Sequence, residues 1–248
     1  MIRKQDIIYG IRVVVEALKS GQHLERIFVQ KNLQGDLIKE LMFEVHKSKT
    51  PLSKVPVERI NKFTGKNHQG VVALVSPIQY SNLEHLVPEL YEQGKNPLLI
   101  ILDEITDVRN FGAIARTAEC MGVHGIVIPT WGGAQVNEDA IKTSAGALSY
   151  VPICREKNLL EAAKFLQESG IHVVSCTEKS KKNLHKADFV SPSAIIMGSE
   201  EKGISEELIS LSNQTCKVPM TGKIESLNVS VATGMILYEA NRQRNLKV

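Results

Sequence analysis

From residue 98 onward the chain alternates short apolar runs with helix-length stretches of mixed polarity. LLIIL (98–102), GIVIP (125–129), YVPIC (150–154), IHVVSC (171–176), AIIMG (194–198) and TCKVP (215–219) are apolar at successive positions. Strands buried on both faces belong to parallel sheets covered by helices on each side, so a six-stranded α/β/α unit is expected. The final segment, SLNVSVATGMILYEANRQR, is apolar nearly all round its first turns and turns polar only toward Arg242 and Arg244. That predicts a buried helix packed on the sheet or on a second subunit. Before residue 77 the rhythm differs: a periodic helix at 11–18, a strand at 26–29, a helix at 37–46, then a basic stretch and a strand at 71–75. These make a small α/β module, 1–76. Between the two lies SPIQYSNLEHLVPELYEQGKNP, with Pro77, Pro88 and Pro97 and one short amphipathic helix. It reads as a connecting segment or an added outer helix, 77–97, leaving 98–248 as the second domain.

Composition narrows the class. At 248 residues with 43% apolar and 23% charged positions, the chain can bury two cores, and disorder is excluded as its main state. No apolar run approaches the ~18 residues a membrane helix needs. Arg12 interrupts the apolar stretch near the start and no small-residue cleavage site follows, so a cytoplasmic protein is expected. Cys120, Cys154, Cys176 and Cys216 form no C-x-x-C pair, which argues for free thiols and against a bound metal.

The net charge of +3 conceals an asymmetry. Residues 1–96 carry 14 Lys/Arg against 10 Asp/Glu, whereas 97–248 carry 16 against 17, so the positive excess lies wholly in the first part. HKSKTPLSKVPVERINKFTGKNH (46–68) concentrates it, with Lys47, Lys49, Lys54, Arg59, Lys62 and Lys66 against Glu58 alone. Clustered cations gain from releasing the counterions of a polyanion, which makes this a candidate RNA-binding stretch; a solvated lysine face is the alternative.

No G-x-G-x-x-G follows the first strand of the second domain, and P-loop, G-x-S-x-G and H-E-x-x-H motifs are absent from the sequence. Instead, three polar, glycine-containing segments follow apolar strands, where open α/β sheets bind ligands. LDEITDVRNFGAIARTAECMGV (102–123) carries Asp107, Asn110 and Arg116; IMGSEEKGIS (196–205) carries Gly198, Ser199, Glu200 and Gly203; VPMTGKIESLNVSVATG (218–234) carries Ser226, Asn228 and Ser230. Each alone is also what a capped helix or a tight turn requires. Three together at strand ends favour a site.

NFGAIARTAECMG, MGSEEKGIS and PMTGKIESLNVSVATG, in that order, resemble the three motifs of the SpoU (TrmH) family of RNA ribose 2′-O-methyltransferases, within the SPOUT class. KTSAGALSYVP (142–152) matches the family's intermediate segment. YGIRVVVEALKSG, LERIFVQ and HQGVVALV are similar to the substrate-binding domain of the large-subunit rRNA guanosine methyltransferases of this family. Val108 departs from the pattern, since many relatives have proline there. The resemblance implies a deep C-terminal trefoil knot, S-adenosylmethionine as cofactor, a homodimer, and an RNA substrate, pointing to a guanosine of 23S rRNA. The motifs of the catalytic half leave open tRNA, other rRNA sites, or a non-catalytic RNA-binding role. Carried over by position, the cofactor loops lie near Thr177 and at 197–200, 218–220 and 224–227, with Thr177, Gly198, Val218, Met220 and Leu227 as cofactor-binding residues. Asn110, Arg116, Glu200, Ser226 and Asn228 are the expected catalytic set, and Lys47, Lys49, Lys62 and Lys66 the expected RNA contacts. Arg116 is the family's candidate for activating the hydroxyl and reaches the methyl donor of the other subunit. A guanidinium loses its proton only above pH ~12, so stabilising a developing alkoxide suits it better than acting as a base.

Overall fold

The computed structural model describes residues 7–223 and 226–245, which form two compact units divided after Gln79. Among the described residues, the first unit contains β1 (Ile7–Tyr9), α1 (Ile11–Lys19), β2 (Leu24–Gln30), α2 (Asp36–Lys47), β3 (Leu52–Val55), α3 (Val57–Asn61) and β4 (Val71–Val75). Its sheet runs β1-β4-β2-β3; β4 is antiparallel to both neighbours and β2 pairs with β3 in parallel. Side chains alternate across it as the strand period requires. Ile27, Val29, Val71 and Ala73 pack with Val14, Val15, Leu18, Ile38 and Leu41 of the two long helices, while Phe28 and Val72 meet Val55 and Ile60 on the other face. The basic stretch therefore holds a strand and a helical turn that were not expected, because Val55 and Ile60 are apolar anchors spaced among lysines and both are buried. β1 was also missed; at three residues it relies on β4 for pairing.

The second unit contains β5 (Tyr80–Ser81), α4 (Leu83–Glu92), β6 (Leu98–Leu102), α5 (Val108–Cys120), β7 (Gly125–Pro129), α6 (Glu138–Thr143), β8 (Ile153–Glu156), α7 (Leu159–Glu168), β9 (His172–Cys176), β10 (Ser193–Met197), α8 (Glu206–Leu211), β11 (Gln214–Cys216) and α9 (Val229–Asn245). Among the described residues these give a seven-stranded sheet, β11-β9-β10-β6-β7-β8-β5, in which every neighbouring pair is parallel. The six anticipated strands are there, and β5 is a seventh that two residues of sequence do not announce. β8 begins later than the apolar run at 150 suggests, because Tyr150 is 79% exposed and ends a short 3-10 turn. Residues 83–92 form the short amphipathic helix the sequence suggests, and of its two readings the added outer helix fits, since Leu83, Leu86, Val87 and Leu90 join the core with α7, α8 and one face of the sheet.

α5, α6 and α9 pack together as a second group. Gly112 permits this, since a Cβ there would lie 2.8 Å from the Ala140 carbonyl oxygen. α9 is not buried all round: Val229, Thr233, Ile236, Leu237 and Ala240 face inward, whereas Val231, Met235 and Tyr238 are exposed. Near its end the Arg244 guanidinium donates to the carbonyls of Asn96 (2.7 Å), Phe189 (2.8 Å), Pro97 (2.9 Å) and Ser191 (3.0 Å). Burial lowers its pKa to about 10, so it stays charged near neutrality. α9 is thereby fastened beside the start of β6.

Strand order reverses between β6 and β10. In an open parallel sheet that reversal opens a crevice at the carboxyl ends of the strands. The loops after β6, β10 and β11 converge there.

Candidate active site

α5 begins where the Asp107 carboxylate accepts from the backbone N–H groups of Arg109 and Asn110, both at 2.8 Å. That cap sets Asn110 in the first turn, at the crevice. α9 begins similarly, with Asn228 Oδ1 accepting from Ser230 N at 3.0 Å. Between them stands Glu200, on the loop after β10. Its Oε1 accepts from Asn228 Nδ2 (2.8 Å), Val229 N (3.1 Å) and Asn110 Nδ2 (3.4 Å), and Asn228 Nδ2 also donates to Asn110 Oδ1 (3.0 Å). Three loops separated by up to 118 positions are thus tied by one carboxylate and two amides. The negative charge also lies at the start of α9, where the helix dipole favours it.

Glu200, the hub of this network, forms with Ser199, Glu201, Lys202 and Val229 a partition between two hollows. On one side is a cavity of about 540 Å³, a size suited to a nucleoside-like ligand. Thr177, Gly198, Val218, Met220 and Leu227 all line it, together with Ser226 and Glu200. Ile224, at the start of the fourth expected loop, lies outside the described residues. The loop carrying Gly198 closes on itself: Gly203 N donates to Ser199 O at 2.9 Å, and a Cβ at Gly198 would collide with the Gly203 carbonyl and Ile204 N. Of the lysines in the wall, Lys179 is paired with Glu206 (2.8 Å) and Lys202 with Glu104 (2.7 Å), each raised in pKa by that carboxylate. Against Lys217, the third lysine of the wall, Glu178, Glu200 and Glu201 leave an excess of carboxylate hospitable to a cation. Cys176, also in the wall, lies 3.4 Å from Cys216 on the adjacent strand; that hydrogen bond and burial hold its proton and raise its pKa. On the other side of the partition a second hollow of about 530 Å³ is lined by Asn110, Asp107, Glu104 and Gly132, and shares Glu200 and Val229 with the first.

Arg116 is elsewhere. Six residues beyond Asn110 is about 240° round the helix, so the two side chains leave different faces. Arg116 is exposed, lines neither hollow, and has no hydrogen bond or ion pair to any described residue. Asn110 and Glu200 are committed to Asn228 and make no contact with Arg116 of the same chain.

In the first unit the four expected lysines do not form one group. Lys47 ends α2 and Lys49 follows it, before β3. Lys62 and Lys66 lie in the connection from the other end of β3 to the start of β4. A four-residue strand of about 13 Å separates the two pairs. The Lys62/Lys66 end also carries Lys31 and the beginning of α1, where Gln69 Oε1 accepts from Ile11 N at 3.3 Å.

Residues 97–238 match the model of the SpoU rRNA Methylase family, and residues 7–81 match that of RNA 2′-O ribose methyltransferase substrate binding. The chain belongs to the SpoU rRNA methylase family. Among SpoU relatives, the 23S rRNA (guanosine-2′-O-)-methyltransferase RlmB of Photobacterium profundum is 35% identical over 97% of this chain and 99% of that protein. YacO of Bacillus subtilis, named for the TrmH family of tRNA/rRNA methyltransferases, is 33% identical over 99% and 98%. The SpoU methyltransferase AviRb of Streptomyces viridochromogenes, solved in complex with AdoMet, shares the fold at 24% identity and a TM-score of 0.61, covering 97% of this chain and 90% of that one.

Some parts of the SpoU site were not read from the motifs. Ala232 and Ile236 complete the cavity wall. Their spacing from Asn228, four and eight residues along a helix, is the signal that places them on its face. Glu104, held at φ 54, and the hollow beside it had no such signal.

Proposed function

We propose that this chain transfers a methyl group from S-adenosylmethionine to the ribose 2′-hydroxyl of a guanosine in 23S rRNA. The observation that carries the reading is the Asn110–Glu200–Asn228 network, whose central Glu200 has a hollow on each side. Such an arrangement suits a reaction in which donor and acceptor meet across one short distance. The cofactor fits the larger hollow by its volume, by the apolar walls of Met220, Leu227 and Ile236, by open backbone at Gly198, and by the excess of carboxylates. Bound there, it would supply an electrophilic methyl group.

The residues have separable roles in this reading. Thr177, Val218 and Gly198 offer backbone groups for the adenine, and Met220 and Leu227 enclose it. Asn110 and Asn228, oriented by Glu200, align the ribose, since in-line transfer depends on positioning. Ser226 hydrogen-bonds the substrate. Arg116 stabilises charge developing on the 2′-oxygen, delivered to the partner's site in a homodimer. The homodimer is supported by Val231, Met235 and Tyr238, exposed at i, i+4 and i+7 on one face of α9 and bordering an apolar hollow with Pro219. A trefoil knot belongs to the same reading, as the family resemblance implies. Lys62 and Lys66 bind RNA phosphates. Large-subunit RNA places the enzyme in the cytoplasm. No helix among the described residues is long and apolar enough to cross a membrane, and none of their His, Cys, Asp and Glu side chains cluster as a metal site.

Mapping ribose methylation on total RNA from cells with and without the protein tests the reading. Loss of one 2′-O-methylguanosine in 23S rRNA is the expected result. Loss of a tRNA mark instead would overturn the substrate, and an unchanged map would overturn the activity.

A further inference from the structure

Beyond the two hollows lies a third, of about 320 Å³, which shares Glu104 and Gly132 with the hollow beside Asn110. Trp131 lines it. This is the sole tryptophan of the sequence, two residues beyond the end of β7, and it is 50% exposed although Ile126, Val127 and Ile128 before it are buried. The sheet core closes without the indole. Gly132, at φ +79, turns the chain immediately afterwards. Half-exposed tryptophan at the margin of a site is a ready platform for a flat ligand.

The charges around it select the ligand further. Asp103 is occupied by Ser205 N at 2.8 Å and Glu104 by Lys202 at 2.7 Å. Glu207, in the first turn of α8, also lines the hollow, is exposed, and has no hydrogen bond or ion pair to any described residue. Lys157 is the lysine that borders it. A hollow richer in carboxylate than in ammonium repels phosphate. It suits an uncharged aromatic ring whose edge carries N–H donors.

We propose that this hollow holds an unpaired nucleobase of the RNA substrate, stacked on Trp131 with its edge donors turned toward Glu207. The inference rests on the RNA methyltransferase reading and names a second contact of that substrate. Base–aromatic stacking tolerates any base, so the site would grip a neighbour of the methylated nucleotide and fix the strand's register.

The single tryptophan makes the test direct. Titration with 23S rRNA transcribed in vitro quenches indole emission, whereas S-adenosylmethionine alone leaves it unchanged, because Trp131 does not line the cofactor cavity. Trp131→Ala raises KM for RNA about tenfold, with kcat and cofactor affinity retained. Trp131→Phe keeps most of the affinity, and Trp131→Leu, comparable in apolar bulk but without a ring face, behaves as Ala. Unquenched emission from an enzyme that methylates the RNA, or an unchanged KM in the Ala and Leu variants, overturns this proposal and leaves the function standing. Failure of the wild-type protein to methylate any RNA overturns the function and this contact with it.

Discussion

The two units carry their polar chemistry in opposite ways. In the second, Asn110, Glu200 and Asn228 are locked to one another through hydrogen bonds of 2.8–3.4 Å, and the helix starts that bear them are capped by Asp107 and by Asn228 itself. In the first, Lys47, Lys62 and Lys66 extend into solvent at two separated ends of a small sheet. The contrast follows from the two tasks. Transfer of a group needs atoms held to fractions of an ångström, so its side chains must constrain one another. Attraction of a polyanion depends on the number of charges and falls smoothly with salt, so mobile side chains serve.

Substitutions in the two units should therefore fail differently. The largest effect is expected at Arg116. Its replacement by alanine lowers methylation by about 100-fold or more, with cofactor affinity largely intact because the cavity of each chain is walled without its own Arg116. Calorimetry and single-turnover assays separate the two. Next comes Gly198→Ala, which forces the loop at Gly203 apart and weakens cofactor binding by about tenfold or more, consistent with ~1–3 kcal/mol of overpacking; a retained affinity would show that the loop does not contact the ligand. At cofactor concentrations that leave the Gly198→Ala variant largely empty, mixing the two variants raises activity above their sum if Arg116 acts in its partner's site, and does not if each chain works alone. The smallest effect is expected in the first unit. Removing Lys62 and Lys66 together reduces the slope of log K against log salt by about 1.5, without changing kcat. Removing Lys47 and Lys49 leaves the slope nearly unaltered, and an equal loss from both pairs would mean that RNA spans the whole sheet.

The sequence made the sheet of the second unit legible because its strands are apolar on both faces and stand apart from their surroundings. It was less informative about β1, β3 and β5, which have few residues and take their stability from a partner strand. The site was legible as three segments, and through the family resemblance as a list of residues. Their mutual arrangement was not. Nothing in the spacing of Asn110, Glu200 and Asn228 says that one carboxylate oxygen collects three donors, and the six-residue interval to Arg116 puts it on another face of the helix. The lysines misled for a related reason. Neighbours in sequence were read as neighbours in space, but Val55 and Ile60 draw the middle of the tract into the core and part its ends.

The crowding at Gly198 also bears on how such an enzyme can change over generations. The width of the cofactor cavity there is set by main chain against main chain, and no side chain at 198 is available to vary. Trp131 and the lysines of the first unit are ordinary side chains that do not line that cavity, open to exchange one at a time. A lineage can therefore explore new RNA targets while its methyl donor stays fixed.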